Sequence, residues 1–495
     1  MEAKNQTKDK NLEPAKNSNM QDSKISQDSQ NQQNAKDPKT MFDKKFTTKQ
    51  LLKLVLPSVI AMLIASVYSI VDGIFVSNYG GTTAFAAINQ ISPLLMIVAA
   101  IGFMFGTGGT ALVSKYQGQG EDEKAKKLFS FFTYVLIVVG VVCSVVLAIF
   151  IEPLLKALGT TDDMMPYCVA YGQILIPCLT LFMLQYYFQS FLACAGKAHL
   201  GLIFTIIAGI VNVIGDAQLV GVFSNGDPLF AVRGAAIATG LGLIVGGLVP
   251  LIYFLCKNKS TLRLGKPLCS FKELGKACGN GISEFLTNIS ASVVNAVYNC
   301  LFLAMVGSVG VAAYGAVSYV NTVFCAIISG FVLGVAPAIA YNYGAGNTEN
   351  LQTIHKKSKR IVAVTGVITT VLVMILVEPL ASMFSHGDDL LMRITTEGLL
   401  IFSLSFLFKA LPMYGSGFFT ALNNGFASGF ISVVRTLVLN LISLLLVPLL
   451  FLHVSGMEVG EASYYGVWYS VVLTEILALI MTFIFFKAYR KKYNY

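Results

Sequence analysis

Charged residues are scarce in this chain. Asp, Glu, Lys and Arg make up 12% of its 495 residues, whereas soluble globular domains carry about 25%. Apolar residues account for 55% of the sequence. The shortage of charge excludes an ordinary soluble domain. It indicates that most of the chain faces lipid or other apolar helices.

Cysteine and histidine are also few, and neither has the spacing of a functional cluster. The nine cysteines are scattered singly, mostly inside apolar runs. This excludes a disulfide framework or a zinc motif, and we interpret them as small buried hydrophobic residues. The four histidines, His199, His355, His386 and His453, lie in or near predicted loops. The spans therefore lack the residue sets of an intramembrane enzyme, and we predict no enzymatic activity and no cofactor.

Long apolar runs dominate the rest of the chain. Phe129–Ile151 has 23 residues without a charge, and a helix needs about 20 apolar residues to cross a bilayer. We predict an all-α membrane protein with twelve spans, at residues 48–77, 85–115, 128–155, 167–194, 199–223, 231–256, 273–306, 311–342, 359–384, 391–420, 425–452 and 463–487. Residues 1–44 are polar and predict a disordered cytoplasmic tail.

Basic residues cluster in alternate loops, and this pattern predicts the orientation. The loops after spans two, six and eight and the C-terminal residues are basic, whereas the opposite loops are short, neutral or acidic. Basic loops remain in the cytoplasm. We therefore predict cytoplasmic termini in a multi-pass protein of the plasma (cytoplasmic) membrane. The net charge of +9 belongs to these loops, so we expect no nucleic-acid partner.

The sequence is internally duplicated. Five residues recur after a shift of 228 positions, namely Gly102, Phe103, Gly106, Phe191 and Asn212, which match Gly330, Phe331, Gly334, Phe419 and Asn440. We predict an N-terminal six-helix lobe at 45–258, a basic cytoplasmic linker at 259–272, a C-terminal six-helix lobe at 273–490 and a cytoplasmic tail at 491–495. Because six is even, both lobes enter the membrane from the same side. The pseudo-twofold axis that relates them then lies along the membrane normal, with a cleft between the lobes.

Three acidic residues lie inside apolar runs: Asp72, Asp216 and Glu284. A charge at membrane depth costs roughly 2.5–3.5 kcal/mol on insertion scales, and it usually marks an ion or proton pathway. Asn212 and Asp216 are four residues apart and share a helix face. If spans one, five and six adjoin, Asp72, Asn212, Asp216 and Thr239 converge on one site.

This set of residues suits a small cation. Two carboxylates with amide and hydroxyl oxygens suit a hard cation such as Na⁺, so Asp72 and Asp216 are candidate Na⁺ ligands. Two acids close together in a low dielectric repel, so they also suit a held proton. The residues leave Na⁺ and H⁺ open, with a structural network as the alternative. The counterpart of Asp216 is Leu444, and acids present in one half only argue against a purely structural role.

A second polar stripe follows span seven. Its members are spaced three or four residues apart on one helix face: Glu284, Asn288, Ser292, Asn295 and Asn299. We expect this face to line the cleft and to take part in substrate binding or coupling, with polar ties between helices as the alternative.

Aromatic and charged residues elsewhere in the second half offer further candidates. Tyr298 is a candidate for an aromatic cavity that holds cationic ligands, with core packing as the alternative. Lys409 and Glu475 are further charges in the spans, which form either a buried pair or a functional one.

Several of these segments resemble the multidrug and toxic-compound extrusion (MATE) family. Leu56-Pro57 with Tyr68-Ser-Ile-Val-Asp72 is similar to its first helix, Asn212-Val-Ile-Gly-Asp216 to its fifth, and Gly234-Ala-Ala-Ile-Ala-Thr239 to its sixth. The resemblance covers about residues 48–490. It implies twelve helices in two lobes, and export of amphipathic, mainly cationic compounds in exchange for Na⁺ or H⁺. It assigns cation coupling to Asp72, Asn212, Asp216 and Thr239. It also implies a role for Gln189 in helix four, where members commonly have Asn, and for Glu284, since some members use an acid in helix seven.

We therefore predict a secondary active multidrug antiporter. Its expected partners are small organic cations, drugs and membrane lipids, and its expected state is a monomer. The alternative is a flippase for lipid-linked saccharides with a related helix plan, which would require a more basic cleft than Lys409 and Arg435 provide. A channel is a third possibility, distinguished by flux that does not depend on a counter-ion.

Overall fold

A computed structural model describes residues 42–258, 260–385, 388–454 and 459–495. Within these ranges all regular secondary structure is helical, and twelve helices are long and apolar enough to span a membrane. They are α1 Thr48–Gly81, α2 Thr83–Gly118, α3 Asp122–Ala157, α4 Met165–Cys194, α5 Ala198–Val222, α6 Pro228–Leu255, α7 Phe271–Val306, α8 Val309–Gly344, α9 Thr348–Ile375, α10 Asp389–Ala421, α11 Gly425–His453 and α12 Ser463–Tyr493. A short helix, Val377–Ser385, follows α9. The predicted all-α architecture with twelve spans is confirmed.

Single glycines form the breaks between α1 and α2 and between α7 and α8. Gly81 has a φ of 80° and Gly307 a φ of 74°, a left-handed conformation that strains any residue with a Cβ. The sequence distance between these glycines matches the shift between the duplicated motifs to within two residues. Both lobes therefore begin with the same helix–glycine–helix unit.

Each lobe has its own apolar core. Trp468 lies at the centre of the core in the second lobe and is fully buried. The first lobe has two smaller cores, one that contains Tyr187 and one that contains Ile176. The outer faces are equally apolar, since side chains such as Val141 and Val145 on α3 are exposed. An apolar exterior of this kind suits contact with lipid rather than with water.

The lobes pack closely at the end of the bundle that carries both chain termini, here named the terminus side. A Cβ on Gly108 of α2 would lie 2.0 Å from the carbonyl oxygen of Ala277 on α7. A Cβ on Gly330 of α8 would lie 2.6 Å from Cα of Val59 on α1. Small residues are what permits backbones to approach this closely. Within the described residues, the glycine contacts of this kind between the lobes all lie on the terminus side. We call this contact the seam.

Residues near both ends of the described chain are packed, contrary to two of the predicted boundaries. Phe42 is buried in the second-lobe core, and its carbonyl oxygen accepts hydrogen bonds from Asn342 and Asn350. Residues 42–44 therefore do not belong to the tail expected at 1–44, and residues 1–41 lie outside the described residues. At the other end, α12 continues to Tyr493, and Tyr495 is buried. The aromatic side chains of the predicted tail at 491–495 thus pack against the second lobe.

Two further expectations change in detail. Leu262 and Leu264 of the predicted linker are buried in a core of the first lobe, so this connection is packed rather than free. His355 was expected near a loop but lies inside α9, which begins at Thr348 instead of residue 359. It is buried, with its Nδ1 3.1 Å from the hydroxyl oxygen of Tyr414. His386 lies outside the described residues.

Candidate cation-coupling site

The structure brings Asp72 of α1 and Asp216 of α5 together in the first lobe. Their carboxyl groups are neighbours, close enough to interact directly with each other. Asp216 is fully buried. Within the described residues, both oxygens of Asp216 and Oδ1 of Asp72 lack a hydrogen-bond donor, and neither residue forms a salt bridge. The two acids are therefore neighbours, and no basic side chain among the described residues is paired with either of them.

Local helix geometry explains how Asp216 reaches this position. Asp216 begins a π-helical stretch, Asp216–Val222, at the end of α5, and such stretches are frequent at functional sites. A glycine lies directly before it: a Cβ on Gly215 would lie 2.8 Å from the Cβ of Ala238 on α6. The Ala- and Gly-rich stretch of α6 thus lets α5 and α6 approach closely, as its composition indicated.

The other expected first-lobe residues lie around this acid pair, with one difference. Asn212 Nδ2 donates a hydrogen bond to Thr239 Oγ1 over 3.5 Å, and Asn212 is buried. On α4, it is Gln185 that contacts the group, through a 3.3 Å hydrogen bond from its Nε2 to the hydroxyl of Tyr68. Gln189 lies one helical turn further along α4 and is half-buried. The geometry therefore favours Gln185 over Gln189 for the polar position in helix four.

Two tyrosines belong to the same cluster and were missed in the sequence. The hydroxyl of Tyr171 on α4 lies near Thr239 and close enough to both carboxyl groups to interact with them electrostatically. Tyr68 on α1 lies close to Asp72. Tyr68 precedes Asp72 by four residues, so helix periodicity was a usable signal. Tyr171 carried no such signal, because its position follows only from how α4 packs.

Hydrogen-bond acceptors outnumber donors in this cluster. Besides the carboxyl oxygens, Asn212 Oδ1 and Gln185 Oε1 are buried without a donor in the described residues. Buried polar groups are normally satisfied, and an unsatisfied one costs about 1–3 kcal/mol. A proton shared by the carboxyls, or a small cation held by several of these oxygens, supplies what the cluster lacks.

In the second lobe, by contrast, a buried acid has a basic partner. Arg435 Nη1 lies 3.4 Å from Glu475 Oε1, and both side chains are buried. Glu284 lies close enough to Arg435 to interact with it electrostatically. Lys409 Nζ donates a 2.7 Å hydrogen bond to Asn321 Oδ1. A pair between Lys409 and Glu475 is therefore wrong, because Arg435 on α11 reaches Glu475 first.

The polar stripe of α7 divides between local and inter-helix hydrogen bonds. Asn288 Nδ2 donates to the backbone oxygen of Glu284 over 2.8 Å. Asn295 is exposed, and its Oδ1 accepts a 2.6 Å hydrogen bond from the hydroxyl of Tyr314. Asn299 is half-buried. The exposed members of the stripe lie on the surface of α7, whereas the side chain of Asn288 is hydrogen-bonded to its own helix.

The surroundings of Tyr298 agree with the core-packing alternative, and its role in substrate binding stays a prediction. It is buried in the second-lobe core, and its ring stacks on Tyr314 with centroids 5.2 Å apart. Its hydroxyl donates to Asn440 Oδ1 over 3.0 Å and lies 2.9 Å from the hydroxyl of Ser470. Asn440 is the repeat counterpart of Asn212. The asparagine at this duplicated position accepts a hydrogen bond from a tyrosine in the second lobe. In the first lobe it lies beside two acids that have no basic partner among the described residues.

Known proteins resemble this chain in sequence and in fold. The multidrug export protein MepA of Staphylococcus haemolyticus is 26% identical over 382 residues, which cover 75% of this chain and 82% of that protein. MepA of Staphylococcus aureus strain NCTC 8325 is 26% identical over 386 residues, which cover 76% and 81%. A MATE protein crystallised in complex with MaL6 superposes with a TM-score of 0.83 at 19% identity, covering 91% of this chain and 98% of that one. A MOP superfamily transporter from Pyrococcus furiosus gives a TM-score of 0.81 at 19% identity, with coverage of 91% and 98%.

The MatE family model matches the chain twice, at residues 57–217 and 285–446. One match falls in each six-helix half, as the duplicated sequence predicts, and together they cover more than half of the chain. The chain therefore belongs to the MatE family and is a MATE transporter.

Proposed function

We propose that this protein is a secondary active multidrug exporter, which moves amphipathic, mainly cationic compounds out of the cell in exchange for a small cation. The observation that carries the proposal is the pair of facing carboxyl groups of Asp72 and Asp216, without a donor or a basic partner in the described residues. The similarity to the MepA multidrug export proteins supports the class of substrate. The expected plasma-membrane location, with both termini in the cytoplasm, is part of the proposal.

Coupling follows from the charge of the acid pair. Two negative charges about 4 Å apart repel by about 4 kcal/mol at an effective dielectric constant near 20. A proton or cation removes this repulsion, so its binding favours an arrangement in which the carboxyls remain together. Inverting a two-state equilibrium from 1:99 to 99:1 requires about 5.5 kcal/mol. The repulsion is therefore of the right size to bias the two arrangements of the lobes.

The seam sets the direction in which the cleft opens. With the termini in the cytoplasm, the close contacts of α1 with α8 and of α2 with α7 shut the cytoplasmic side. The arrangement of the lobes in the structure then faces outward. In this arrangement the site receives the coupling ion from outside, and a cationic drug that is attracted to the charged acid pair is released when the pair is neutralised.

Between the two ions, the geometry favours H⁺. Two neighbouring carboxyl groups accommodate a shared proton without a further ligand. The described residues contain no group of three or more His, Cys, Asp or Glu that could hold a metal ion. A Na⁺ site would have to draw on Asn212, Thr239 or Gln185 for its remaining oxygens, and this is the reason to test both ions separately.

Transport in proteoliposomes tests the function. Purified protein is reconstituted, and uptake or efflux of a fluorescent organic cation such as ethidium is followed under a pH gradient alone and under a Na⁺ gradient alone. We expect transport driven by the pH gradient, and its loss in Asp72→Asn and in Asp216→Asn. Asp162→Asn, at an exposed position between α3 and α4, is the matched control and should transport normally.

Transport by both Asp72→Asn and Asp216→Asn at the wild-type rate would contradict the site. Transport driven only by Na⁺ would support the same site but identify Na⁺ rather than H⁺ as the coupling ion. Dissipation of the fluorescent cation gradient without any counter-ion dependence would contradict antiport and favour a channel.

The flippase alternative receives less support from the structure. Lipid-linked saccharides carry pyrophosphate, which requires unpaired basic residues in the cleft. Arg435 is paired with Glu475 and lies near Glu284. Lys409 is buried and bonded to Asn321. Neither basic residue is arranged to meet a large anion.

A further inference from the structure

A cavity of about 340 Å³ opens at the seam, on the terminus side of the bundle. Three helices from both lobes form its walls: the end of α2, the start of α7 and the start of α11. The residues that matter for its chemistry are Lys115, Tyr116, Lys276, Gly279, Asn280 and Phe426. Gly279 faces open space in this cavity, since a Cβ there would meet no atom within 4 Å.

The cavity has an excess of positive charge. Lys276 is paired with Glu273 over 2.7 Å, and that carboxylate also accepts a 2.9 Å hydrogen bond from the hydroxyl of Tyr116. Lys115 has no carboxylate within salt-bridge distance among the described residues. Its ammonium group lies 5.5 Å from the ring centre of Tyr343. One lysine charge at the cavity is therefore left without a counter-ion.

One helix start and an unsatisfied amide add to this character. The N-terminal end of α11, at Gly425 and Phe426, lines the cavity, and helix N-termini favour anions. Asn280 is buried, and its Nδ2 donates to Thr420 O over 2.7 Å. This hydrogen bond leaves Oδ1 of Asn280 as a buried acceptor without a donor in the described residues. A ligand that fits both features carries a negative charge and a hydroxyl group.

An apolar surface borders the cavity. Phe426 is 71% exposed, and its ring lies 6.1 Å from that of Phe430, one turn further along the outer face of α11. Phe271 at the start of α7 is 77% exposed. Aromatic residues at this level, beside basic residues at the ends of spanning helices, are typical of the membrane interface. They offer a path for acyl chains that a soluble anion would not use.

We propose that this cavity binds the headgroup of an anionic phospholipid of the phosphatidylglycerol type. Lys115 and Lys276 contact the phosphate, a glycerol hydroxyl donates to Asn280, and the acyl chains lie against Phe426 and Phe430. Basic pockets between spanning helices on the cytoplasmic side are suited to anionic headgroups. Because the walls come from both lobes, the bound lipid holds α2 against α7 and stabilises the arrangement in which the seam is closed.

Lipid binding to the purified full-length protein tests the proposal. Dioleoylphosphatidylglycerol is titrated into protein in detergent micelles, and the rise in the midpoint of thermal unfolding gives an apparent affinity. Dioleoylphosphatidylcholine and glycerol 3-phosphate are titrated in parallel. A lysine near an anionic lipid contributes on the order of 1 kcal/mol, so Lys115→Gln should weaken the affinity about fivefold and the double change with Lys276→Gln about 25-fold.

Matched variants separate a defined site from general charge. Gly279→Phe should fill the cavity and abolish the preference for phosphatidylglycerol, whereas Gly279→Ala should retain it. Lys487→Gln removes an exposed lysine near the end of α12, away from the cavity, and should bind like the wild type.

Three results would overturn the proposal: equal stabilisation by the two phospholipids, an unchanged affinity in Lys115→Gln, or full replacement of the lipid by glycerol 3-phosphate at the same concentrations. The last result would assign the cavity to a soluble anion. Because the measurement is of binding, it does not depend on whether the protein exports drugs.

Discussion

The seam predicts that a single methyl group shifts the balance between the two arrangements of the lobes. A Cβ on Gly281 of α7 would lie 2.0 Å from the carbonyl oxygen of Met104 on α2, where ordinary contacts begin at 3.4 Å. Both partners are helix backbone, so no side chain can rotate away. In Gly281→Ala, α7 and α2 must therefore move apart across the seam.

The size of the effect follows from the cost of overpacking. Forcing an extra methyl group into a close-packed contact costs about 1–3 kcal/mol. This cost falls only on the arrangement in which the seam is closed, so the equilibrium shifts by about 5- to 150-fold toward the other one. The alanine also favours the helix by up to about 1 kcal/mol, but it does so in both arrangements.

Gly279→Ala is the matched control for this prediction. Gly279 lies on the same helix two residues earlier, and a Cβ there meets no atom within 4 Å. The control therefore has the same gain in helix propensity and no clash. Any difference between the two alanine variants reports the contact across the seam.

Distances between spin labels measure the shift. Labels at Glu123→Cys on α3 and Lys356→Cys on α9, both exposed positions on the terminus side of opposite lobes, are introduced into a cysteine-free background and reconstituted in nanodiscs. We expect the wild type and Gly279→Ala to share one dominant short distance, and Gly281→Ala to gain a longer one. Identical distance distributions in the two alanine variants would refute the reasoning, because the clash would then have been absorbed within one lobe.

Two further predictions concern the buried polar groups. Tyr171→Phe removes a hydroxyl close to the acid pair. A coupling ion at the pair would lose a polar neighbour, an effect of about 1 kcal/mol, so we expect a several-fold loss of coupled transport with an unchanged thermal unfolding midpoint. Normal transport would exclude Tyr171 from the site. Arg435→Met leaves Glu475 buried and unpaired, and we expect a loss of about 3–5 kcal/mol in the free energy of unfolding. Adding Glu475→Leu should restore much of that stability, and thermal unfolding that is equal in the single and double variants would contradict the pair.

The sequence alone predicted the helical architecture, because a membrane imposes simple rules on any chain that crosses it. A run such as Phe129–Ile151 must form a spanning helix, since lipid offers no partner to backbone groups. The repeat of Asn212 at Asn440 predicted two lobes of equal helix number. These signals are local or periodic and do not depend on how the helices pack.

Contacts between segments that are distant in the sequence could not be predicted from these local and periodic patterns. Glu475 pairs with Arg435 rather than with Lys409 because of the way the helices pack. The spacing of residues along the chain does not determine which helix faces are in contact. Phe42 was assigned to a polar tail by composition, yet one aromatic ring and two asparagine hydrogen bonds are enough to fix it to the second lobe. Tyr171 joins the acid pair only through the packing of α4.

The two lobes differ at the duplicated asparagine. Asn440 has a tyrosine hydroxyl as its partner, and the same lobe contains the buried ion pair of Arg435 and Glu475. Asn212 lies beside two carboxyl groups that lack any donor in the described residues. A protein gains nothing in stability from leaving acids unbalanced at membrane depth. The unbalanced acids of the first lobe are therefore the feature that the proposed cation coupling explains, whereas Glu475 in the second lobe already has Arg435 as its partner.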